Sequence, residues 1–189
     1  MTRIIAGQAR GRTIIVPEEG TRPTSDRARE GLFSSLAVRW GFEGSRVLDL
    51  FAGSGALGLE AASRGAAEVH LVDNSAQAIK NITHNAGVVG HPKVHIHQLQ
   101  ASTYLAQAPR EHFDMVLADP PYDFADVDEL LVAITPVLAD DAIVVIERHI
   151  DSPEPAWPAE YDPTGQKLKK RTYGIARMDM AIFEREVHD

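Results

Sequence analysis

Hydrophobic residues recur along this chain in two rhythms, and the switches between them predict its elements. Arg3-Ile4-Ile5-Ala6 and Arg12-Thr13-Ile14-Ile15-Val16 are short β-prone runs joined by a glycine-bearing link, which predicts an N-terminal hairpin. Residues 17–23, bracketed by prolines, read as loop. Over 25–40 the row Ala28, Leu32, Leu36 and Trp40, with Phe33 and Ala37 beside it, repeats as one face of an amphipathic helix does. Short apolar runs then alternate with helical stretches. Strands are predicted over 47–50, 68–72, 94–99, 113–118 and 142–147, and helices over 56–64, 75–87 and 127–137. That alternation predicts an α/β fold with a mostly parallel, seven-stranded sheet covered by helices on both faces. The stretches 168–173 and 174–183 are expected to close the sheet with an antiparallel pair, and 153–163 reads as loop.

Composition narrows the class. With 189 residues, 44% hydrophobic and 24% charged, the chain has the makeup of an ordinary globular protein. It is expected to comprise an N-terminal extension over 1–45 and a main domain over 46–189. No apolar run reaches the ~18 residues of a membrane span. The N-terminus reaches Arg10 and Arg12 without a secretory core, so a cytoplasmic protein is expected, and the chain is taken to be a monomer. The absence of cysteine excludes disulfides, thiolate nucleophiles and cysteine-based zinc sites. The net charge of -8 is unevenly spread: residues 1–46 hold eight arginines (3, 10, 12, 22, 27, 29, 39, 46) against five acids, leaving -11 on the remainder. With the knot of Lys167, Lys169, Lys170 and Arg171, this gives an acidic protein two basic patches suited to a polyanion.

Two motifs fall at strand ends. Asp49-Leu50-Phe51-Ala52-Gly53-Ser54-Gly55 sits where the first parallel strand yields to a helix. Its glycines allow a tight turn and close backbone approach, and the helix start offers free N–H donors. Gly53, Gly55 and Gly58 also spell the dinucleotide pattern, with Asp73 twenty residues on, so an NAD-dependent oxidoreductase is a competing reading. Asp49 weighs against it. A carboxylate beside a pyrophosphate is repulsive, whereas beside the ammonium of a methionine moiety it is favourable. The arrangement resembles the S-adenosylmethionine motif of class I methyltransferases.

The second motif, Asp119-Pro120-Pro121-Tyr122, follows the strand at 113–118 and suits methylation of an aromatic amine. Such a nitrogen is a poor nucleophile because its lone pair is delocalised. Acceptors aimed at the NH2 group, here the Asp119 carboxylate and the Pro120 carbonyl, draw it toward a tetrahedral nitrogen. Pro120 and Pro121 restrict the backbone, and Tyr122 can stack on the base, so catalysis is largely positioning.

Beyond these sites, Arg3-Ile4-Ile5-Ala6-Gly7 with Arg10-Gly11-Arg12, then Arg22-Pro23-Thr24-Ser25-Asp26-Arg27 and Leu32-Phe33, and finally Lys170-Arg171-Thr172-Tyr173-Gly174, resemble the bacterial small-subunit ribosomal RNA guanine-N2 methyltransferases. The resemblance implies a class I, Rossmann-like fold using S-adenosylmethionine. It implies that Asp49, Phe51, Ala52, Gly53, Ser54 and Gly55 hold the methionine part, Asp73 and Asn74 the ribose, and Gln100 and Ala101 the adenine. Asp119 to Tyr122 would receive the base, guanine-966 of 16S ribosomal RNA by resemblance. The candidate RNA contacts are Arg3, Arg10, Arg12, Arg22, Arg27, Lys169, Lys170 and Arg171. Asp-Pro-Pro-Tyr also occurs in adenine-N6 methyltransferases, which keeps that activity on RNA or DNA as the alternative. A non-catalytic RNA-binding assembly protein is a more distant one, opposed by the intact carboxylate, prolines and aromatic ring.

Other residues have plainer readings. His95 and His97 point the same way on a predicted strand but lack a third ligand at suitable spacing, so no metal is expected. Asp123, Asp126, Asp128 and Glu129 surround a helix start and read as capping residues. Trp40, Trp157 and Tyr104 read as packing residues.

Overall fold

Continuous apolar runs such as Ile143-Val144-Val145-Ile146 can form only strands covered on both faces, and the architecture follows from that requirement. A computed structural model describes residues 1–17, 26–121, 123–162, 171–173 and 176–185, with backbone alone at 171–173. The chain opens with β1 (Thr2–Arg3), β2 (Thr13–Ile14) and α1 (Asp26–Arg39). There follow β3 (Arg46–Leu50), α2 (Ala56–Ser63), β4 (Glu68–Asp73), α3 (Ala76–Val89), β5 (Val94–Gln98) and α4 (Ala101–Gln107). The rest comprises β6 (Phe113–Ala118), α5 (Val127–Ile134), β7 (Leu138–His149), β8 (Tyr161–Asp162), β9 (Arg171–Tyr173) and β10 (Ala176–Phe183).

The main sheet runs β5-β4-β3-β6-β7-β10, and its last position is shared by β8 and β9, which pair with opposite ends of β10. Strands β3 to β7 are parallel, and β10 lies antiparallel on β7. Seven strand positions and the antiparallel closure match the expected fold. The predicted helix over 75–87 forms as α3. Ser75 caps it by accepting from the Ala78 N–H, and Gly90 ends it in the left-handed conformation. Three expectations are corrected. Helix α4 was unforeseen because Ala-Ser-Thr-Tyr-Leu-Ala-Gln shows no clear apolar period. Strand β7 begins at Leu138 rather than 142. The expected loop over 153–163 contains β8.

The described residues before β3 share their core with the sheet. Ile4, Ile14, Leu32, Phe33 and Leu36 are fully buried in one cluster with Val47, Leu59, Val69 and Met115. The opposite face of the sheet packs Leu48, Leu50, Val116 and Ile146 against α4 and α5. The hairpin is too short to stand alone, with two residues per strand. Buried side chains hold it instead. The Glu60 carboxylate accepts from the Ile5 and Ala6 N–H groups at 3.0–3.2 Å. Ser63 Oγ accepts from Ala9 N–H and donates to the Ala6 carbonyl. Asn85, fully buried, accepts from Ile15 N–H and donates to the carbonyls of Ile15 and Ser54. Gly7 lies so close to α2 that a Cβ there would meet the Ser63 carbonyl oxygen at 1.9 Å.

Glu60→Ala strips two part-buried N–H groups of their acceptor and leaves Arg64 without its carboxylate. It should cost about 2–4 kcal/mol of stability, read as a lower urea midpoint with an unchanged m-value.

Candidate active site

Strand order reverses between β3 and β6, and ligands of open α/β sheets bind at such a switch point, beyond the carboxyl ends of the strands. Register sets the two motifs side by side there. Asp49 pairs with Leu117 and Leu50 with Ala118, so the chain leaves β3 into the glycine loop directly beside the point where β6 yields to Asp119. Leu50 also pairs with Val72, and Asp73 with Gln98, which brings the ends of β4 and β5 to the same edge. One cleft of about 1410 Å³ opens over this edge. Small-ligand pockets hold roughly 300–1,000 Å³, so the cleft has room for two reactants together.

The first motif lines the cleft through Asp49, Phe51, Ala52, Gly53 and Ser54. Gly55 is the N-cap of α2 in the left-handed conformation, with φ +80°. Gly53 also has positive φ, and a Cβ there would meet nothing within 4 Å, so this turn faces open space. Phe51 takes φ +55°, a strained conformation for an aromatic residue, and its ring meets Phe124 edge-on at 5.3 Å. Asn74, Gln100 and Ala101 line the same cleft, as do Asp119, Pro120 and Pro121. Tyr122 lies outside the described residues.

Asp49 is buried at 1% exposure. Its Oδ2 accepts from the Gly58 N–H at 2.9 Å, while Oδ1 has no hydrogen-bond partner among the described residues. Burial lifts its pKa to about 7; the Gly58 N–H opposes that rise and the neighbouring Asp73 charge adds to it. Such an oxygen calls for a cationic donor from a ligand. Asp73 is partly committed within the protein: Oδ2 accepts from Gly53 N–H and Oδ1 from Ser75 N–H, both at 2.9 Å. Each oxygen retains a second lone pair for a ligand hydroxyl. These acceptors therefore fit a ligand bearing an ammonium and a ribose.

Sequence reasoning missed Arg148. Nearly buried on β7, it donates to the Pro121 carbonyl at 3.2 Å and the Phe124 carbonyl at 3.1 Å. It clasps the turn after Asp119, in which Phe124 N–H also donates to the Pro121 carbonyl. Burial first, then the adjacent Arg177 charge, lowers its pKa. Nothing in the sequence marks an arginine 27 residues from Pro121 as this loop's partner.

The proposed RNA contacts are dispersed. Arg3, Arg10 and Arg27 are exposed. Arg12 is also exposed, but its Nη1 donates to the Val88 and Val89 carbonyls at the end of α3, so part of its guanidinium serves the fold. Arg22, Lys169 and Lys170 lie outside the described residues, and Arg171 is placed only by its backbone in β9, which runs close to α1. Asp126 is the N-cap of α5 but makes no side-chain cap bond, and Asp128 accepts from Ala156 N–H instead.

A sheet of this order, with a glycine turn after its first parallel strand, an acid ending the second and Asp-Pro-Pro after the fourth, defines a Rossmann-like class I methyltransferase fold. The family model described as Conserved hypothetical protein 95 matches residues 2–182. Ribosomal RNA small subunit methyltransferase D of Escherichia coli K12 is 36% identical over 169 residues, spanning 88% of this chain and 84% of its own. The methyltransferase D of Haemophilus influenzae is 34% identical over 157 residues, 80% of each chain. The solved structure of the yhhF protein of Escherichia coli, 33% identical, superposes with a TM-score of 0.85 over 98% of this chain and 99% of that one. The chain thus belongs to the Conserved hypothetical protein 95 family, that of the methyltransferase D proteins. Among the described residues no helix is long and apolar enough to cross a membrane.

Arg148→Ala removes the donor to two loop carbonyls. Amide hydrogen exchange over 119–126 should speed up, with local opening easier by about 1–3 kcal/mol, while α2 amides keep their protection.

Proposed function

We propose that this protein transfers a methyl group from S-adenosylmethionine to the N2 amine of a guanine in 16S ribosomal RNA, guanine-966 by resemblance, acting in the cytoplasm as a monomer. The observation that carries the reading is the buried, half-satisfied Asp49 carboxylate in the same cleft as Asp119 and Pro120. The names of the relatives, ribosomal RNA small subunit methyltransferase D, support an RNA substrate. When bound, S-adenosylmethionine supplies an electrophilic methyl carbon on a sulfonium. Asp49 takes the methionine ammonium, Asp73 and Asn74 the ribose, and Gln100 with Ala101 flanks the adenine. Asp119 and the Pro120 carbonyl accept the amine hydrogens and orient the nitrogen lone pair, and Arg148 keeps the turn in place. Arg3, Arg10 and Arg27 hold the phosphates, joined by Arg171, whose strand runs close to α1.

Asp49 gives the reading a pH signature. The ionised carboxylate binds an ammonium, and the free protein holds a proton there up to about pH 7. Affinity for S-adenosylhomocysteine should fall as pH drops below 7, approaching about tenfold per unit, and binding near pH 7 should release protons. Calorimetry in buffers of different ionisation enthalpy reads both effects. Asp49→Asn should bind more weakly and lose the pH dependence; an unchanged profile would remove Asp49 from the site.

Asp119→Ala should leave cofactor affinity nearly intact and lower kcat about 10²-fold or more, since its contact strengthens as the amine rehybridises. Labelled RNA from small subunits, digested to nucleosides, should yield N2-methylguanosine; N6-methyladenosine would overturn the base assignment. Replacing Arg10 and Arg27 by Ala should weaken RNA binding, spare cofactor binding and reduce the salt slope by about 0.7 per lost phosphate contact. Equal slopes and affinities would show that these arginines only face solvent.

A further inference from the structure

A second polar cluster lies on the α4 side of the sheet, at the end away from the cleft. Glu68 begins β4, whose other end, Asp73, reaches the cleft roughly 16 Å away at 3.3 Å per residue. Glu68 Oε1 meets His70 Nε2 at 2.8 Å and His112 Nε2 at 2.6 Å. His112 arrives from the segment leading into β6, across the start of β3. One ligand atom from each of Glu68, His70 and His112 lies within 4.8 Å of the others, and all three residues are half-buried. His70 Nδ1 in turn meets His97 Nε2 at 2.9 Å, and the rings of His95 and Tyr104 flank this pair.

We propose that Glu68, His70 and His112 form a binding site for one zinc-class divalent cation, with His97 as the partner that orients His70. Two imidazoles and a carboxylate favour late first-row ions over magnesium or calcium. Around a tetrahedral ion with ligands at about 2.0–2.1 Å, neighbouring donors lie about 3.3 Å apart, so modest side-chain rotations open the two short contacts, and the two histidines already offer nitrogens within 4.8 Å of each other. His70 needs only a change of tautomer. With the ion on Nε2, its Nδ1 carries the hydrogen and donates to His97 Nε2, and His97 then carries its own hydrogen on Nδ1, standing where a carboxylate or carbonyl usually supports a metal-bound histidine. One charge opposes the site: Arg46 Nη1 lies 3.5 Å from His112 Nδ1. Its side chain is 41% exposed and faces Asp114 at 3.7 Å, so it can turn to that carboxylate. The expectation of no metal rested on His95 and His97, which alternate on one strand without a third ligand. The ligands come instead from two other segments, and His97 stands behind one of them.

The test uses chelator-treated protein without an affinity tag, titrated with zinc chloride near neutral pH. Calorimetry should give one equivalent of saturable binding, and zinc at a hundredfold over its Kd should raise Tm by about 5–10 °C, while magnesium does neither. His112→Ala and Glu68→Gln should each weaken zinc binding at least tenfold, whereas His84→Ala, on an exposed position of α3, should not. Affinity for S-adenosylhomocysteine should stay unchanged throughout, which separates this site from the cleft. Circular dichroism checks that each variant is folded, and Glu68→Gln decides if His112→Ala is not. No saturable binding below millimolar zinc, or a folded ligand variant that binds as tightly as the wild type, overturns the proposal.

Discussion

A carboxylate sealed inside a protein needs a donor for each oxygen, and Asp49 finds only one among the described residues. That donor, the Gly58 N–H, lies in the first turns of α2, so the bond ties the end of β3 to the helix that follows. It also explains a glycine as the third residue of α2, where a residue with a side chain would ordinarily favour the helix more. A Cβ at 58 would meet Leu71 Cδ2 at 2.3 Å and Asp49 at 3.1 Å, and the carboxylate could not reach the helix. Asp73 repeats the device one strand over by holding Gly53. Two acids on adjacent strands thus shape the turn between them, and both sets of oxygens keep capacity toward the cleft.

What the sequence made legible was local. Asp49, Gly53, Asp73 and Asp119 could be placed because each follows a strong apolar run, and an open parallel sheet gathers the ends of such runs on one edge. Helix α4 escaped because Tyr104 and Leu105 are its only buried residues, too few to set a period. Arg148 and Glu60 escaped for another reason: each acts on carbonyls or N–H groups more than 20 residues away, and no spacing rule connects them. Arg12 adds a role that its exposed place in a basic stretch did not reveal. Its position in a basic stretch pointed outward, while its Nη1 closes the end of α3.

The cleft also couples its two loops mechanically. Phe51 holds a conformation that costs an aromatic residue on the order of 1–3 kcal/mol, and its ring meets Phe124 in the turn clasped by Arg148. A strained residue on one loop therefore rests against a braced residue on the other. Neither loop can shift without disturbing that contact, which favours a cleft whose two halves keep their spacing when a ligand enters.

The clasp on the N-terminal hairpin has a consequence for synthesis. Ile5 and Ala6 are made before Glu60, with which they pair 55 and 54 residues later, and Ile15 waits 70 residues for Asn85. At elongation speeds of about 5–20 residues per second that wait is roughly 4–14 s. Through it Ile4 and Ile14 have no core to enter, and a two-residue hairpin does not hold itself together. The hairpin can therefore complete these bonds only once α2 and α3 exist to receive it.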